Sequence, residues 1–156
     1  MKGPSKLVDV VRERGAWRAG GRRIVLTNGC FDLLHPGHLT LLEAARAEGD
    51  GLVVAINSDA SVVGIKGPSR PVTPELERAE LLLALEAVDR VVVYDEATPI
   101  EVVRALLPDV LVKGADWPLD QIVGRQDVEA AGGRVVRVEI LPGRSTSGIV
   151  ERIRKR

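Results

Sequence analysis

The chain has 156 residues, 45% of them hydrophobic and 28% charged, which suits one globular domain with its own core. Basic and acidic residues number 22 each, so the zero net charge gives no broad electrostatic footprint for nucleic acid or an anionic membrane. One cysteine cannot form an internal disulfide, and no apolar run approaches the ~18 residues of a membrane span. Charges interrupt the segment MKGPSKLVDVVRERG, where a signal peptide needs an apolar core. We therefore expect a cytoplasmic protein.

Five short runs rich in β-branched residues predict strands. They lie at residues 22–27, 51–57, 90–95, 109–114 and 133–140. The first four are almost continuously apolar, which is typical of strands that are buried on both faces of a sheet.

Helical segments alternate with these strands. Apolar periodicity predicts helices over Lys6–Trp17, Pro36–Ala47, Pro74–Leu85 and Pro99–Leu107, and one from about Thr146 that closes the chain. Thr73 is the predicted N-cap of the third helix, whose first residue is a proline, and Glu101 takes the capping-box position of the fourth. The alternation indicates an α/β protein with a parallel sheet and helices on both faces.

Polar segments gather at one edge of this sheet. NGCFD and HPGH follow the first strand, NSDAS the second, KGADW the fourth, and GRSTS comes after the fifth. In open α/β sheets, ligands bind beyond the carboxyl ends of the strands, so one binding edge is expected. The longest connection without periodicity, Ser58–Val72, is rich in Gly, Pro and Ser, and loops of that length are usually functional or mobile.

Both histidines of the chain lie in the motif HPGH. If Pro36 is the first helical residue, His35 stands at the N-cap and His38 in the first turn, and Gly37 leaves the backbone open to a ligand. The free N–H groups and the helix dipole attract anions and disfavour an imidazolium, so neutral N–H donors facing a phosphate are expected. Two alternatives remain open: the rings only cap and pack, or Cys30, His35 and His38 bind zinc, although the chain has no further Cys or His for a fourth ligand.

The end of the first strand suits a phosphate as well. Its residues Thr27, Asn28 and Gly29 either turn backbone amides toward a phosphate or form a simple tight turn. Asp32 could hold Mg²⁺, orient a histidine, or cap its own turn. Cys30 and Phe31, which lie between Gly29 and Asp32, are expected to pack in the core.

Several cations could meet a triphosphate. Lys66 and Arg70 lie in the long loop, which is either a lid that carries positive charge or an ordinary solvated loop, and Arg78 is similarly ambiguous. Lys113 ends a buried strand and points toward the crevice. Trp117 either flanks a base or sugar or covers the core, and the STS cluster supplies either N-caps or phosphate donors.

These segments resemble one known family. TNGCFDLLHPGHLTLLEAARAEGD is similar to the HxGH nucleotidyltransferases, a cytidylyltransferase-like superfamily with a Rossmann-like, doubly wound sheet. The resemblance runs from Arg22 to Ile153. Within the family, KGPSRPV, VKGADW and STSGIVERI are most similar to the adenylyltransferase domain of ADP-heptose synthase. We therefore expect a single nucleotidyltransferase domain over residues 1–156, in which residues 1–20 form an N-terminal helical extension.

The resemblance implies transfer of AMP from ATP to a heptose 1-phosphate, giving ADP-heptose and pyrophosphate, with Mg²⁺ as cofactor and no metal held by the protein alone. It implies catalytic roles for His35, His38 and Lys66, and substrate contacts from Asp32, Lys66 and Arg70. Nucleotide contacts are implied for a larger set, namely Thr27, Asn28, Gly29, Cys30, Phe31, Asp32, Gly37, Arg78, Lys113, Gly114, Asp116, Ser145, Thr146 and Ser147. A homo-oligomer, dimer or larger, is also implied.

The sequence departs from the family pattern near its end. Polyol-phosphate cytidylyltransferases carry an arginine a few residues before the serine-threonine cluster, where this chain has EILPG. Gly148 replaces a frequent basic residue, and LPGR differs from the usual heptose pattern. Two alternatives are a CTP-dependent cytidylyltransferase acting on glycerol 3-phosphate or another polyol phosphate, and a non-catalytic nucleotide- or metal-binding module. A separate kinase is expected to supply the sugar 1-phosphate.

Overall fold

A five-stranded parallel sheet runs through the molecule, whose computed structural model describes residues 3–156. The strands are β1 (Ile24–Gly29), β2 (Gly51–Asn57), β3 (Arg90–Tyr94), β4 (Val110–Gly114) and β5 (Arg134–Val138). Their spatial order is β3-β2-β1-β4-β5, and every neighbouring pair is parallel. The predicted α/β, Rossmann-like sheet is therefore confirmed, and the strand order reverses between β1 and β4.

Helices cover both faces of the sheet, as predicted. They are α1 (Leu7–Ala19), α2 (Pro36–Ala47), α3 (Asp59–Lys66), α4 (Glu75–Leu83), α5 (Ile100–Leu106), α6 (Arg125–Ala130) and α7 (Thr146–Arg154), with a 3-10 turn at Leu119–Gln121. One core packs α2 and α4 against the sheet, and the other packs α1, α5 and α6. Side chains of β1 alternate between the cores, with Ile24 and Leu26 in one and Val25 in the other. Across residues 3–156, none of these helices has the length and apolar content to cross a membrane.

Two helices lie outside the sequence predictions. The expectation of an aperiodic Ser58–Val72 is wrong over its first half, because α3 occupies Asp59–Lys66. Ser58 caps this helix, since its Oγ accepts a hydrogen bond from the Ser61 amide at 3.2 Å, and Val62 is fully buried. The second unpredicted helix, α6, has only six residues, too few to show a helical period.

Two of the predicted helix starts need correction. Pro36 does begin α2 with His35 as N-cap. Pro74, however, is itself the N-cap of α4 and no side chain caps this helix, so the predicted Thr73 cap is wrong. The Thr73 amide donates to Asp32 at 2.9 Å.

The start of α5 differs in the same way. Pro99 is its N-cap and no side chain caps it, so the predicted capping box at Glu101 is wrong. Glu101 instead lies 3.9 Å from Arg104 at the surface.

Candidate active site

A cleft of about 570 Å³ opens at the carboxyl edge of the sheet, over the point where the strand order reverses. Its wall includes all the sequence-predicted site residues except Arg70 and Arg78. The predicted residues in the wall are Thr27, Asn28, Gly29, Cys30, Phe31, Asp32, His35, Gly37, His38, Lys66, Lys113, Gly114, Asp116, Ser145, Thr146 and Ser147. Segments that are far apart in the chain therefore line one cleft.

The His35 ring is oriented by its own helix. Its Nδ1 accepts a hydrogen bond from the Gly37 amide at 3.1 Å, so the proton of the neutral ring lies on Nε2. A Cβ at Gly37 would come within 2.9 Å of this ring, so only glycine fits. Gly37 thus makes room for the ring, and its amide is occupied rather than open to a ligand as expected. Burial and then the charge of Arg144 lower the pKa of His35.

The His38 ring stacks on His35, with centroids 3.8 Å apart and planes at 26°, and the Phe31 ring lies 5.0 Å away. Burial, followed by repulsion from a protonated His35 and from Lys66, lowers the pKa of His38 to about 4. Its Nδ1 is buried and makes no hydrogen bond to any residue from 3 to 156. Because orphaned buried N–H groups are rare, the tautomer protonated on Nε2 is favoured. The lowered pKa values favour neutral rings in the cleft wall, and burial is the largest cause of both shifts.

A chain of hydrogen bonds forms the cleft floor. Lys113 Nζ donates to the Asn28 backbone O at 3.2 Å and to its Oδ1 at 3.3 Å. Asn28 Nδ2 lies 3.5 Å from the Tyr94 hydroxyl, which donates to Asn57 Oδ1 at 3.1 Å. Burial lowers the pKa of Lys113, and the nearby Asp116 partly offsets that effect.

Tyr94 and Asn57 are cleft residues that the sequence analysis missed. Each is the last residue of a buried strand, β3 and β2 respectively. A polar side chain that ends an apolar run at the same edge as the histidines was the available signal.

Thr27 and Phe31 are buried and make contacts inside the protein. Thr27 is fully buried, and its Oγ1 donates to the Val112 carbonyl at 2.9 Å, which joins β1 to β4. Phe31 is 4% exposed, as the packing prediction required.

The zinc alternative gains no support from the geometry. The Cys30 Sγ lies 3.6 Å from Asn57 Oδ1. In the part of the chain that the structure describes, no three His, Cys, Asp or Glu side chains are grouped to hold a metal ion. Cys30, His35 and His38 therefore line one cleft without forming a ligand set.

Asp32 orients a loop and not a histidine. Its carboxylate is almost fully buried and accepts hydrogen bonds from Arg70 Nε at 2.6 Å, the Val72 amide at 2.8 Å and the Thr73 amide at 2.9 Å. Burial alone would raise the pKa of Asp32, but these hydrogen bonds outweigh it and the pKa is lowered. Arg70 is thus held by the cleft residue Asp32, while its buried Nη2 makes no hydrogen bond to any residue from 3 to 156, and its expected substrate contact stays a prediction.

The expected nucleotide contact of Arg78 also needs correction. Its side chain is fully buried, and all three of its nitrogen atoms donate inside the protein. Nε bonds the Thr73 carbonyl at 2.9 Å, Nη1 the Cys30 carbonyl at 2.6 Å and Nη2 the Asp59 carboxylate at 2.8 Å. Arg78 thus ties the end of β1 to the starts of α3 and α4.

Lys66 does line the cleft, but from a helix. It is the last residue of α3, it is exposed, and its charge is one cause of the lowered pKa of His38. Because Asp32 anchors the segment that follows Lys66, this lysine is held on an ordered element and not on a free loop.

On the far side of the cleft, Trp117 is 46% exposed, so it does not cover the core. The Lys113 ammonium lies 4.9 Å from its ring centroid. Asp116 is exposed beside them, and a Cβ at Gly114 would come within 2.5 Å of Ile140. These residues form an open wall of the cleft next to β4.

The start of α7 closes the cleft near the histidines. Ser145 is its N-cap and accepts from the Gly148 amide at 3.0 Å, as the capping alternative predicted. Thr146 Oγ1 donates to the Leu33 carbonyl at 3.2 Å. Arg144, which the sequence analysis did not select, lines the cleft beside His35. Its signal was a basic residue directly before the hydroxyl cluster.

Two helix N-termini, two neutral imidazoles and two lysines border one cleft at a topological switch point. This combination is typical of phosphate sites in nucleotide-binding α/β proteins. The chain belongs to the cytidylyltransferase-like family, whose model matches residues 26–151. The resemblance seen in HPGH and its neighbours is thereby confirmed.

Curated relatives indicate which branch of the family this chain is similar to. The chain is 55% identical over 137 residues to bifunctional protein HldE from Methylobacillus flagellatus, a match that covers 88% of this chain and 28% of that protein. It is 57% identical over 136 residues to bifunctional protein HldE from Rhodopseudomonas palustris, which covers 87% of this chain and 28% of the relative. The chain thus spans just over a quarter of the length of these proteins.

A solved structure has the same fold. The lipopolysaccharide core biosynthesis protein from Thermoplasma volcanium GSS1 superposes with a TM-score of 0.63 at 30% identity. The match covers 78% of this chain and 98% of that one.

Proposed function

We propose that this chain transfers AMP from ATP to a heptose 1-phosphate, producing ADP-heptose and pyrophosphate. The observation that carries the proposal is the stacked pair of neutral imidazoles, His35 and His38, at the start of α2, in a cleft that Lys66 also lines. Similarity to the bifunctional HldE proteins and to a lipopolysaccharide core biosynthesis protein supports a sugar phosphate as the acceptor. The segments KGPSRPV and VKGADW favour the heptose branch.

The reaction is a direct displacement at phosphorus. An oxygen of the sugar phosphate forms a bond to the α-phosphorus of ATP while the bond from that phosphorus to the bridging oxygen breaks. The bridging oxygen leaves with the electron pair as part of pyrophosphate, so no covalent enzyme intermediate is needed. Charge grows on phosphoryl oxygens, where His35 and His38 donate Nε2–H bonds and Lys66 supplies positive charge.

Neutral histidines suit this role because of where they lie. A protonated ring would be disfavoured by burial and by the positive end of α2. A neutral donor costs little to keep in place and strengthens its hydrogen bond as the oxygen gains charge. The stacking of the two rings and the Gly37 amide hold the donors in position before ATP arrives.

The cleft residues fit Mg²⁺ that enters with ATP. Mg²⁺ usually keeps waters and phosphate oxygens as ligands and adds one or two carboxylates. Asp32 and Asp116 are the carboxylates in the cleft wall, and both Asp32 oxygens already accept hydrogen bonds. Asp116 is exposed and would hold the ion together with the phosphates. When bound, the ion neutralises phosphate charge.

A substrate panel tests the proposal. Pyrophosphate release would be measured with Mg²⁺ and each pairing of ATP or CTP with both anomers of heptose 1-phosphate and with glycerol 3-phosphate. We expect ATP with a heptose 1-phosphate to be fastest, and Lys66→Ala to remove most of that rate while Arg154→Ala keeps it. Faster turnover of CTP with glycerol 3-phosphate would identify a cytidylyltransferase. No release from any pairing would identify a non-catalytic binding module.

The assembly of the chain belongs to the same proposal. We expect a homo-oligomer, dimer or larger, which size-exclusion chromatography with light scattering would measure. A monomer at micromolar concentration would contradict it.

A further inference from the structure

Helix α7 lies on the surface of the protein. None of its residues is buried, and none belongs to either of the two cores. Within residues 3–156, a single side-chain hydrogen bond joins it to the rest of the protein, from Thr146 Oγ1 to the Leu33 carbonyl at 3.2 Å. Because α7 begins at the cleft wall, whatever covers this helix also fixes one wall of the active site.

The outer half of α7 carries an apolar stripe with a cation beside it. Ile149 and Ile153 are one turn apart and share a face of the helix, and Ile153 is 67% exposed. Helical periodicity places Arg152 on one flank of this stripe and Arg154 on the other side of the helix. The exposed Arg152 guanidinium forms no hydrogen bond or ion pair within residues 3–156. The stripe therefore suits an apolar surface that has acidic groups at its rim.

An apolar groove of about 370 Å³ lies between α2 and the turn that follows α4. Leu39 is exposed at its mouth, and the exposed carboxylates of Glu43 and Glu86 stand on its two walls. Neither carboxylate forms an ion pair in the part of the chain that the structure describes, whereas Arg46 already donates to the Gly49 carbonyl at 2.7 Å. The groove is thus apolar inside and negative at its rim. Its lining includes Leu39, Leu42, Glu43, Arg46, Leu85 and Glu86.

The α7 stripe and this groove match in polarity and in charge, and every copy of the chain carries both. A contact between two α7 helices would bring arginines together, and a contact between two grooves would bring carboxylates together, so like charges disfavour both. A contact of α7 with the groove of a second copy pairs unlike charges instead. In a two-fold dimer this contact forms twice, because each protomer supplies one helix and one groove.

We propose that two copies of this chain form a two-fold dimer in which the Ile149 and Ile153 stripe of each α7 lies in the groove of the other copy. Arg152 then meets the acidic rim of that groove. The inference builds on the homo-oligomer of the proposed function and is independent of its chemistry. The contact holds the start of α7, with Ser145 and Thr146, at the cleft wall of each protomer.

Analytical ultracentrifugation of the whole protein would measure the dimer dissociation constant for matched variants. We expect Ile153→Gln to raise this constant about tenfold through the lost apolar contact. Val8→Gln, at a similarly exposed position on α1, should leave it unchanged, since α1 packs on the other face of the sheet. Arg152→Glu should also raise the constant about tenfold, and Arg154→Glu, on the other side of α7, should match the parent.

Charge reversal gives the sharper test because it can be undone. Glu43→Arg and Glu86→Arg should each weaken the dimer. At least one of them, combined with Arg152→Glu, should return the dissociation constant toward the parent value, because the combination restores an unlike pair. A variant that fails to fold would show no such recovery.

A parent protein that is monomeric at micromolar concentration would overturn the inference, as would a dimer that responds to these variants no more than to the controls. If the monomer instead sediments with vesicles of phosphatidylcholine and phosphatidylglycerol in equal parts, the α7 stripe belongs to an anionic membrane surface. Because sedimentation needs no substrate, a dimer formed in this way that turns over no heptose 1-phosphate would refute the catalytic proposal and leave this inference standing.

Discussion

Two neighbouring groups of ionisable side chains follow β1, and the protein uses them in opposite ways. His35 and His38 are stacked, neutral and directed to a cleft, and the His38 Nδ1 has no partner in residues 3–156. Asp32, Arg70 and Arg78 are instead bound in ion pairs within the protein, although Arg70 Nη2 is buried without a partner in residues 3–156. The contrast shows that a basic side chain is available to a ligand only when no group of the protein already binds it, whatever its residue type.

Removing a cleft histidine should give the largest effect on turnover. We expect His38→Ala to lower kcat about 10²- to 10³-fold, as the loss of one preorganised transition-state donor does. Stability should fall by only about 1 kcal/mol, because the lost ring carries an unsatisfied buried nitrogen. Pyrophosphate release and urea denaturation would measure the two quantities. A variant that keeps full turnover would remove His38 from the mechanism.

Removing the buried arginine should give the opposite result. Arg78→Ala leaves the Cys30 and Thr73 carbonyls without donors, so we expect a loss of about 3 kcal/mol in the free energy of unfolding. The exposed ion pair of Arg104 with Asp127 supplies a control, and Arg104→Ala should cost less than about 1 kcal/mol. An Arg78→Ala protein that is as stable as the parent but binds ATP poorly would contradict this result and would indicate that Arg78 contacts the nucleotide.

The Asp32 network should show itself in the pH dependence of stability. Because the pKa of Asp32 is lowered on folding, its stabilisation is complete above the unfolded value of about 4 and is lost as pH falls through the folded value. Asp32→Asn should therefore cost about 2 kcal/mol at pH 7 and flatten the fall in stability below pH 4. Urea titrations at several pH values would measure this. Parallel curves for the two proteins would contradict the assignment.

The smallest effect is expected at the cleft floor. Tyr94→Phe removes the hydroxyl between Asn28 and Asn57 and should cost about 1 kcal/mol of stability. Turnover should drop only a few-fold, because the hydroxyl positions other groups. A loss of kcat as large as that expected for His38→Ala would instead put the Tyr94 hydroxyl in contact with the reacting groups.

Local patterns in the sequence sufficed for the sheet and for the histidine pair. Buried parallel strands leave continuous apolar runs, and HPGH places a proline, a glycine and two rings within one helical turn. The start of α3 was missed because Gly64, Gly67 and Pro68 interrupt the stretch that begins with its cap, Ser58. Helix α6 is too short for its period to be recognised.

Long-range pairing explains the remaining differences. Arg70 and Arg78 looked like ligand contacts, but their acceptors on Asp32 and Cys30 lie 38 and 48 residues away along the chain. Arg144 and Tyr94 enter the site only because the sheet brings their strand and loop ends to β1. No local pattern reports the acceptors of Arg70 and Arg78, whereas Tyr94 and Arg144 had local signals, namely a polar strand end and a basic residue before the hydroxyl cluster.

The central claim is that both imidazoles are neutral Nε2–H donors, and nitrogen-15 NMR of the histidine rings tests it most directly. The chain has only two histidines, so each ring can be followed separately through a pH titration. We expect both to be neutral with the proton on Nε2 at pH 7, His38 to titrate near pH 4, and the lowered pKa of His35 to place its titration below the ordinary value of about 6.5. A ring protonated at pH 7, or a His38 that titrates at pH 6.5 or above, would contradict the claim.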